Sequence, residues 1–306
     1  MICIIALIVF SVLGIFSATH RALAKEALDC VFRRITLRPC NTGFDEKIKG
    51  KIIGKLIGRS VFAARIFSRH FAIISWLLFI LTIASAFFVV RGAVNYYLYG
   101  SCNGLDQSGF CVFDPMGENN KTSPVKSGSC PIAPVLEKDL TLASLDVGQF
   151  PQKIFGSQNQ IIFIGCYNCD YSRKAYPLIQ KLVDKNKIDF TFVHIPVKEE
   201  TGHISSYVYC AYKEDKEKFW SFNEKLFVSD KEDVADNEYV SELAESIGFD
   251  AAKLQQCVSD SATKDIIKKQ SEQIQATGIY GTPTVFINGK ALVGPKPYRV
   301  YERMLK

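Results

Sequence analysis

Between Ile161 and Val183 the sequence reads IIFIGCYNCDYSRKAYPLIQKLV. An apolar run of strand length ends in two cysteines separated by two residues, and an amphipathic run of helical period follows at once. Few chain paths satisfy this pattern. It asks for a buried strand, a tight turn and a helix whose first turn carries both thiols on one face, close enough to bridge. The first thiol, Cys166, is expected near the free N–H groups and positive end of the helix dipole, which favour thiolate, the species that attacks disulfides. Cys166 is therefore the expected nucleophile and Cys169 the resolving thiol. A zinc site needs two further ligands at comparable spacing, and no second CxxC or close Cys/His pair follows. No metal and no other cofactor is expected. A purely structural disulfide remains an alternative reading of the pair.

The neighbouring segments fit the same frame. Gln160–Gly165 reads as a buried strand, Asp170–Lys185 as a helix carrying Pro177, and Ile188–Pro196 as a second strand rich in β-branched and aromatic residues. A strand, helix, strand order implies a parallel pair with a crossover helix. From about 203 to 275 the pattern is mostly helical, and GTPTVFINGKALVG then gives a strand, an Asn288-Gly289 hairpin turn and a second strand, closed by a helix in PYRVYERMLK. A Thr282-Pro283 bond just before a strand suits a cis proline. Pro283 has no N–H, so Thr282 is expected to present its backbone at an edge where a substrate strand could pair. An ordinary strand-start proline is the plainer alternative.

Taken together, FIGCYNCDYSRKAYPLIQKL, YCAYKEDKEKFWSFNEKLF and GIYGTPTVFINGKALVGPKPY resemble the DsbA-like branch of the thioredoxin superfamily. The resemblance spans roughly residues 140–306 and leaves 1–130 uncovered. It implies an α/β thioredoxin-like fold with a helical insertion at about 203–275, Cys166 and Cys169 as the redox pair, and Pro283 as the cis proline facing them. The chain departs from many relatives between the cysteines, where Tyr167-Asn168 carries no positive charge to depress the Cys166 pKa. Cys210 and Cys257 both fall in the insertion and are expected to form a structural disulfide. His194 reads as a hydrogen-bonded sheet histidine before a base, and Phe219, Trp220 and Phe222 as core or groove packing.

The N-terminal part obeys different rules. Residues 1–18 and 71–90 contain no charged side chain, and the second run is long enough to span the roughly 30 Å hydrocarbon core of a bilayer. Between them, residues 19–70 carry twelve Lys/Arg against four acids, a net of +8, whereas residues 92–306 carry 24 basic and 27 acidic side chains, a net of −3. Charge of this sign beside short apolar spans marks a cytoplasmic loop. The expected layout is a transmembrane or signal-like segment at 1–18, a basic cytoplasmic loop at 19–70, a transmembrane helix at 71–91, a juxtamembrane linker at 92–139 and an extracytoplasmic catalytic domain at 140–306. Cleavage after SATHRALA would reverse the orientation, although the positively charged start of a signal peptide is missing. Nucleic acid is not an expected partner, since the two flanking apolar runs explain the basic charge more simply.

Seven of the ten cysteines lie after residue 91, which suits an oxidising compartment. Cys102 and Cys111 are expected to staple the linker, while Cys30 and Cys40, on the cytoplasmic side, are expected to be reduced. Cys130 is left over, because seven is odd. The expected function is a membrane-anchored thiol-disulfide oxidoreductase acting on extracytoplasmic protein thiols and disulfides. A membrane redox partner, such as a quinone-linked oxidase or a thiol-relaying transporter, would reset the pair. The alternatives are a non-catalytic thioredoxin-fold binding module with a structural disulfide, or an inward-facing disulfide reductase.

Overall fold

The computed structural model describes residues 7, 18–36, 44–58, 60–104, 109–124, 140–196 and 202–306. The chain divides into two compact units, Met1–Arg91 and Gly92–Lys306.

The described residues of the first unit are mostly helical. Helix α1 (Ala18–Ile35) is rich in Ala, Leu, Lys, Glu and Arg, all strong helix formers, and carries an i,i+4 ion pair from Arg33 to Asp29 at 3.0 Å. Helix α2 spans Phe44–Ile57 and α3 starts at Val61 and runs to Tyr99. The segment expected as a loop at 19–70 is therefore helix over most of its described length, because its basic residues are interleaved with good helix formers. Within α3, Trp76–Tyr99 has a mean hydropathy of 2.2 and is, among the described residues, the one helix long and apolar enough to cross a membrane. Its 24 residues rise about 36 Å. Trp76, Leu77, Ile80, Phe87 and Phe88 all expose more than half of their surface. Of the apolar segment 1–18, only Leu7 and Ala18 are described. Cys30 is disulfide-bonded, against the expectation of a reduced thiol. Cys40 and Cys130 lie outside the described residues.

The second unit is built on a five-stranded sheet of order β2-β4-β3-β6-β7, from β2 (Gln152–Lys153), β3 (Gln160–Gly165), β4 (Asp189–His194), β6 (Thr284–Ile287) and β7 (Lys290–Val293). Strands β3 and β4 are parallel and the other pairs antiparallel. Helix α4 (Asp170–Asn186) is the crossover, and the β6–β7 hairpin turns at Asn288-Gly289, both at positive φ, as its two-residue loop requires. Alternation along β3 decides the two cores. Ile161 and Phe163 join a large cluster with α4, the insertion helices and the C-terminal helix α11 (Tyr298–Arg303). Ile162 and Ile164 join Leu140, Leu145, Phe150, Ile274 and Phe286 on the opposite face.

The insertion consists of α5 (His203–Glu214), α6 (Lys216–Val228), α7 (Lys231–Ala235), α8 (Asn237–Ile247), α9 (Ala251–Ser259) and α10 (Ser261–Ala276). Aspartate side chains start four of them: Asp215, Asp236, Asp250 and Asp260 each accept a hydrogen bond from a first-turn N–H. A disulfide joins Cys210 in α5 to Cys257 in α9. Another joins Cys102 to Cys111 in the segment expected as an irregular linker. That segment also carries a strand, β1 (Ser123–Pro124), paired antiparallel with β5 (Gly281–Thr282).

Candidate active site: two thiols beneath a strand edge

Strand β3 stops at Gly165, where a side chain has no room: a Cβ there would collide with the Phe163 ring. The Cys166-Tyr167-Asn168-Cys169 turn follows, closed by a bond from Cys169 N–H to Cys166 O of 3.2 Å. The Cys166 N–H donates to the Ser172 hydroxyl at 3.2 Å. Neither cysteine is in a disulfide, and they are 0% and 1% exposed.

Cys169, rather than Cys166, caps the helix. Its sulphur accepts the Ser172 N–H at 3.4 Å and sits 3.4 Å from the Thr282 carbonyl oxygen, to which the thiol donates. Burial pushes the Cys169 thiol up, but hydrogen bonds with Ser123, Thr282 and Ser172 together outweigh it, leaving its pKa below that of an ordinary thiol. Sequence reasoning placed the helix-dipole benefit on Cys166; the helix starts at Asp170 as read, which makes Cys169 its N-cap, so the benefit falls on Cys169.

Cys166 draws on a cation that the sequence reading did not single out. Arg173, one turn into α4, donates from Nε to the Tyr167 carbonyl, from Nη1 to the Ser229 carbonyl and from Nη2 to the Leu226 carbonyl at 3.4 Å. Burial lowers its pKa, while Asp170 and the Cys166 sulphur act in the opposite sense. The same attraction favours a Cys166 thiolate. Arg173 thus supplies the positive charge that Tyr167 and Asn168 lack.

Tyr167 is fully buried. Its hydroxyl donates to Asn223 Oδ1 at 2.5 Å, and Asn223 Nδ2 donates to the Tyr176 hydroxyl at 2.6 Å, so the turn between the thiols is tied to α6 and α4. Burial, with Tyr176 and Cys166 nearby, holds the Tyr167 phenol well above its ordinary pKa. On its other side Tyr167 stacks on His194, ring centroids 4.9 Å apart. His194 is buried and hydrogen-bonded through Nδ1 to Ser205 Oγ at 2.9 Å; burial, then His203, lowers its pKa to about 3. It stays neutral near pH 7. Phe219 and Phe222 are buried core residues, and Trp220 packs on Phe190 with Lys153 over its ring.

Above the thiols lies Thr282-Pro283, a cis peptide bond. The Thr282 edge is not open. Ser123 pairs with Thr282 and Pro124 with Gly281, so the chain itself fills the place where the sequence suggested a substrate strand. A separate cavity of about 550 Å³ lies beyond His194, between α5, α10 and residues 148–151, and neither thiol lines it. Among the described residues no group of three or more His, Cys, Asp or Glu side chains is placed to hold a metal ion.

Residues 163–306 match the Thioredoxin family model. The matched segment makes up just under half of the chain. Disulfide bond formation protein D of Bacillus subtilis (strain 168) is 26% identical over 144 residues, which are 43% of this chain and 64% of that protein. The probable disulfide bond formation protein D of Bacillus cereus is 28% identical over 120 residues, 37% of this chain and 55% of that protein. The chain therefore spans less than two thirds of the length of these relatives. Oxidised BdbD from Bacillus subtilis has a similar structure over 52% of this chain and 90% of its own, with a TM-score of 0.44 and 22% identity. A thioredoxin-like oxidoreductase from Silicibacter pomeroyi gives 0.46 and 20% over 51% and 90%. Residues 1–162 lie outside the matched family segment.

Proposed function

We propose that this chain is a membrane-anchored thiol-disulfide oxidoreductase that exchanges disulfides with extracytoplasmic proteins through Cys166 and Cys169. The observation that carries the reading is the placement of two thiols, neither in a disulfide, at a strand–helix junction, with Cys169 Sγ 3.4 Å from the carbonyl of Thr282. In the oxidising direction a substrate thiolate attacks Cys166 Sγ of the Cys166–Cys169 disulfide. The S–S bond breaks and Cys169 leaves as thiolate, which its lowered pKa favours. A second substrate thiolate then attacks the substrate sulphur of the mixed disulfide and expels Cys166 as thiolate beside Arg173. Two electrons pass from substrate to enzyme, and a membrane redox partner takes them on. Reduction of a substrate runs the same steps backwards.

The anchor rests on the apolar Trp76–Tyr99 stretch, and the outward orientation rests on the +8 charge of residues 19–70. The disulfide at Cys30 favours a second reading, because it puts the basic segment in oxidising surroundings and the thiol pair inside as a reductase. The chemical test is common to both. The full-length protein should exchange with a model dithiol and a glutathione couple, and Cys166→Ser should abolish that exchange. Full activity in Cys166→Ser, or a reduction potential below about −300 mV, the range of inert structural bonds, would rule the reading out.

A further inference from the structure

The edge beside the thiols is filled by the chain's own residues 121–124, and their fastening suggests a purpose. Strand β1 is two residues long, and Pro124, having no N–H, limits how far the pairing can extend. The fit at the edge is nevertheless close: a Cβ on Gly281 would fall 2.5 Å from Thr122 Oγ1 and 2.6 Å from its Cβ. One on Gly294 would fall 3.0 Å from the Lys121 carbonyl oxygen. Upstream, Lys296 Nζ donates to Asn120 Oδ1, and Asp114 accepts the Glu118 and Asn119 N–H groups at 3.0 Å each. Glu118 pairs with Lys174 on α4 at 2.5 Å, and the Cys102–Cys111 disulfide closes the start of the segment.

The segment also reaches the chemistry. Ser123 pairs with Thr282, whose carbonyl oxygen accepts a hydrogen bond from the Cys169 thiol at 3.4 Å, and both thiols are buried. An extended peptide carrying a reactive cysteine would need the same edge and the same approach to the sulphurs. The fastening is weak where it faces water: Lys174 and Glu118 are each 53% exposed, and exposed ion pairs contribute little.

We propose that residues 121–124 are an internal occupant of the substrate edge, which an incoming polypeptide must displace before exchange. The inference rests on the oxidoreductase reading. On this account the segment discriminates between substrates: a polypeptide must pair along β5, whereas a small dithiol needs only a brief opening.

The experiment uses the full-length protein in detergent, as wild type and as Glu118→Lys and Thr122→Trp. The first change replaces the ion pair with like charges at an exposed position; the second puts a side chain where the Gly281 contact leaves no space. Exchange is followed with dithiothreitol, which reports the thiols alone, and with a reduced, unfolded multi-cysteine polypeptide. Displacement predicts that both variants raise kcat/KM for the polypeptide about tenfold, the effect of ~1.4 kcal/mol of lost competition, and change the dithiothreitol rate by much less. A polypeptide rate at or below wild type in folded variants overturns the proposal. Wild type that exchanges with neither substrate sinks the oxidoreductase reading itself. Should Thr122→Trp fail to fold, Glu118→Lys carries the rate test, and hydrogen exchange of the wild type adds a direct readout. Amides 121–124 should lose protection when the polypeptide is bound at saturation, and retained protection counts against displacement.

Discussion

Tyr167 lies between the two thiols and behaves as a core residue. Truncating its hydroxyl in Tyr167→Phe leaves Asn223 Oδ1 buried without its donor, an omission that typically costs about 1–3 kcal/mol. Denaturant unfolding should show that loss while Cys166 and Cys169 remain in place. Arg173→Met should slow exchange at neutral pH and raise the pH at which the Cys166 thiolate appears in ultraviolet absorbance, since a cation that attracts this sulphur is removed. His194 gives a pH signature. Its pKa is about 3 folded and near 6.5 unfolded, so between those values the unfolded chain binds the extra proton and stability rises with pH. The slope for one proton is at most about 1.4 kcal/mol per pH unit. His194→Gln should flatten the profile over that window, and an unchanged slope would contradict the assignment. The thiols and Pro283 were legible because their signals are local: a spacing of three residues and a dipeptide. Arg173, Asn223 and Ser229 were not, because their bonds join positions some fifty residues apart in sequence and no periodicity records them.

At the scale of elements, the helical insertion depends on side-chain caps and one cross-link. The aspartates at 215, 236, 250 and 260 mark four helix starts that could have been read directly, yet the sequence reading saw one mostly helical stretch. The Cys210–Cys257 disulfide closes a separation of 47 residues. Replacing both cysteines by alanine should therefore cost about 2–4 kcal/mol by releasing the unfolded chain. Thermal unfolding checks this, and an unchanged Tm would show that packing of α5 against α9 already suffices. The β6–β7 hairpin followed from Asn288-Gly289 alone. By contrast, the β1–β5 pair could not be read from sequence. Two residues are too few to show a period, and a Gly, Pro and Ser-rich stretch reads as linker whether or not it folds back.

For the whole molecule, on the proposed membrane anchoring, the decisive quantity is which side of the bilayer holds the thiols. A C-terminal alkaline phosphatase fusion to the full chain should be active if the +8 segment stays in the cytoplasm, and a β-galactosidase fusion should be active in the reverse case. The protein should also stay in the membrane pellet through alkaline carbonate extraction, as a spanning Trp76–Tyr99 helix requires and a surface-bound helix does not. Composition exposed this helix at once, because an uncharged run needs no tertiary context to be recognised; orientation is a balance of charges and cleavage signals, and the disulfide at Cys30 weighs against the simplest outcome. On the proposed role for β1, its covalent continuity with the catalytic domain sets a threshold for substrates. A tethered occupant returns to its seat at an effective concentration that reaches the order of millimolar, so a dilute competitor loses even when its contacts are as good. Chains crowded at the membrane surface, where local concentration is high and extended segments are plentiful, would be oxidised ahead of finished proteins in bulk solution.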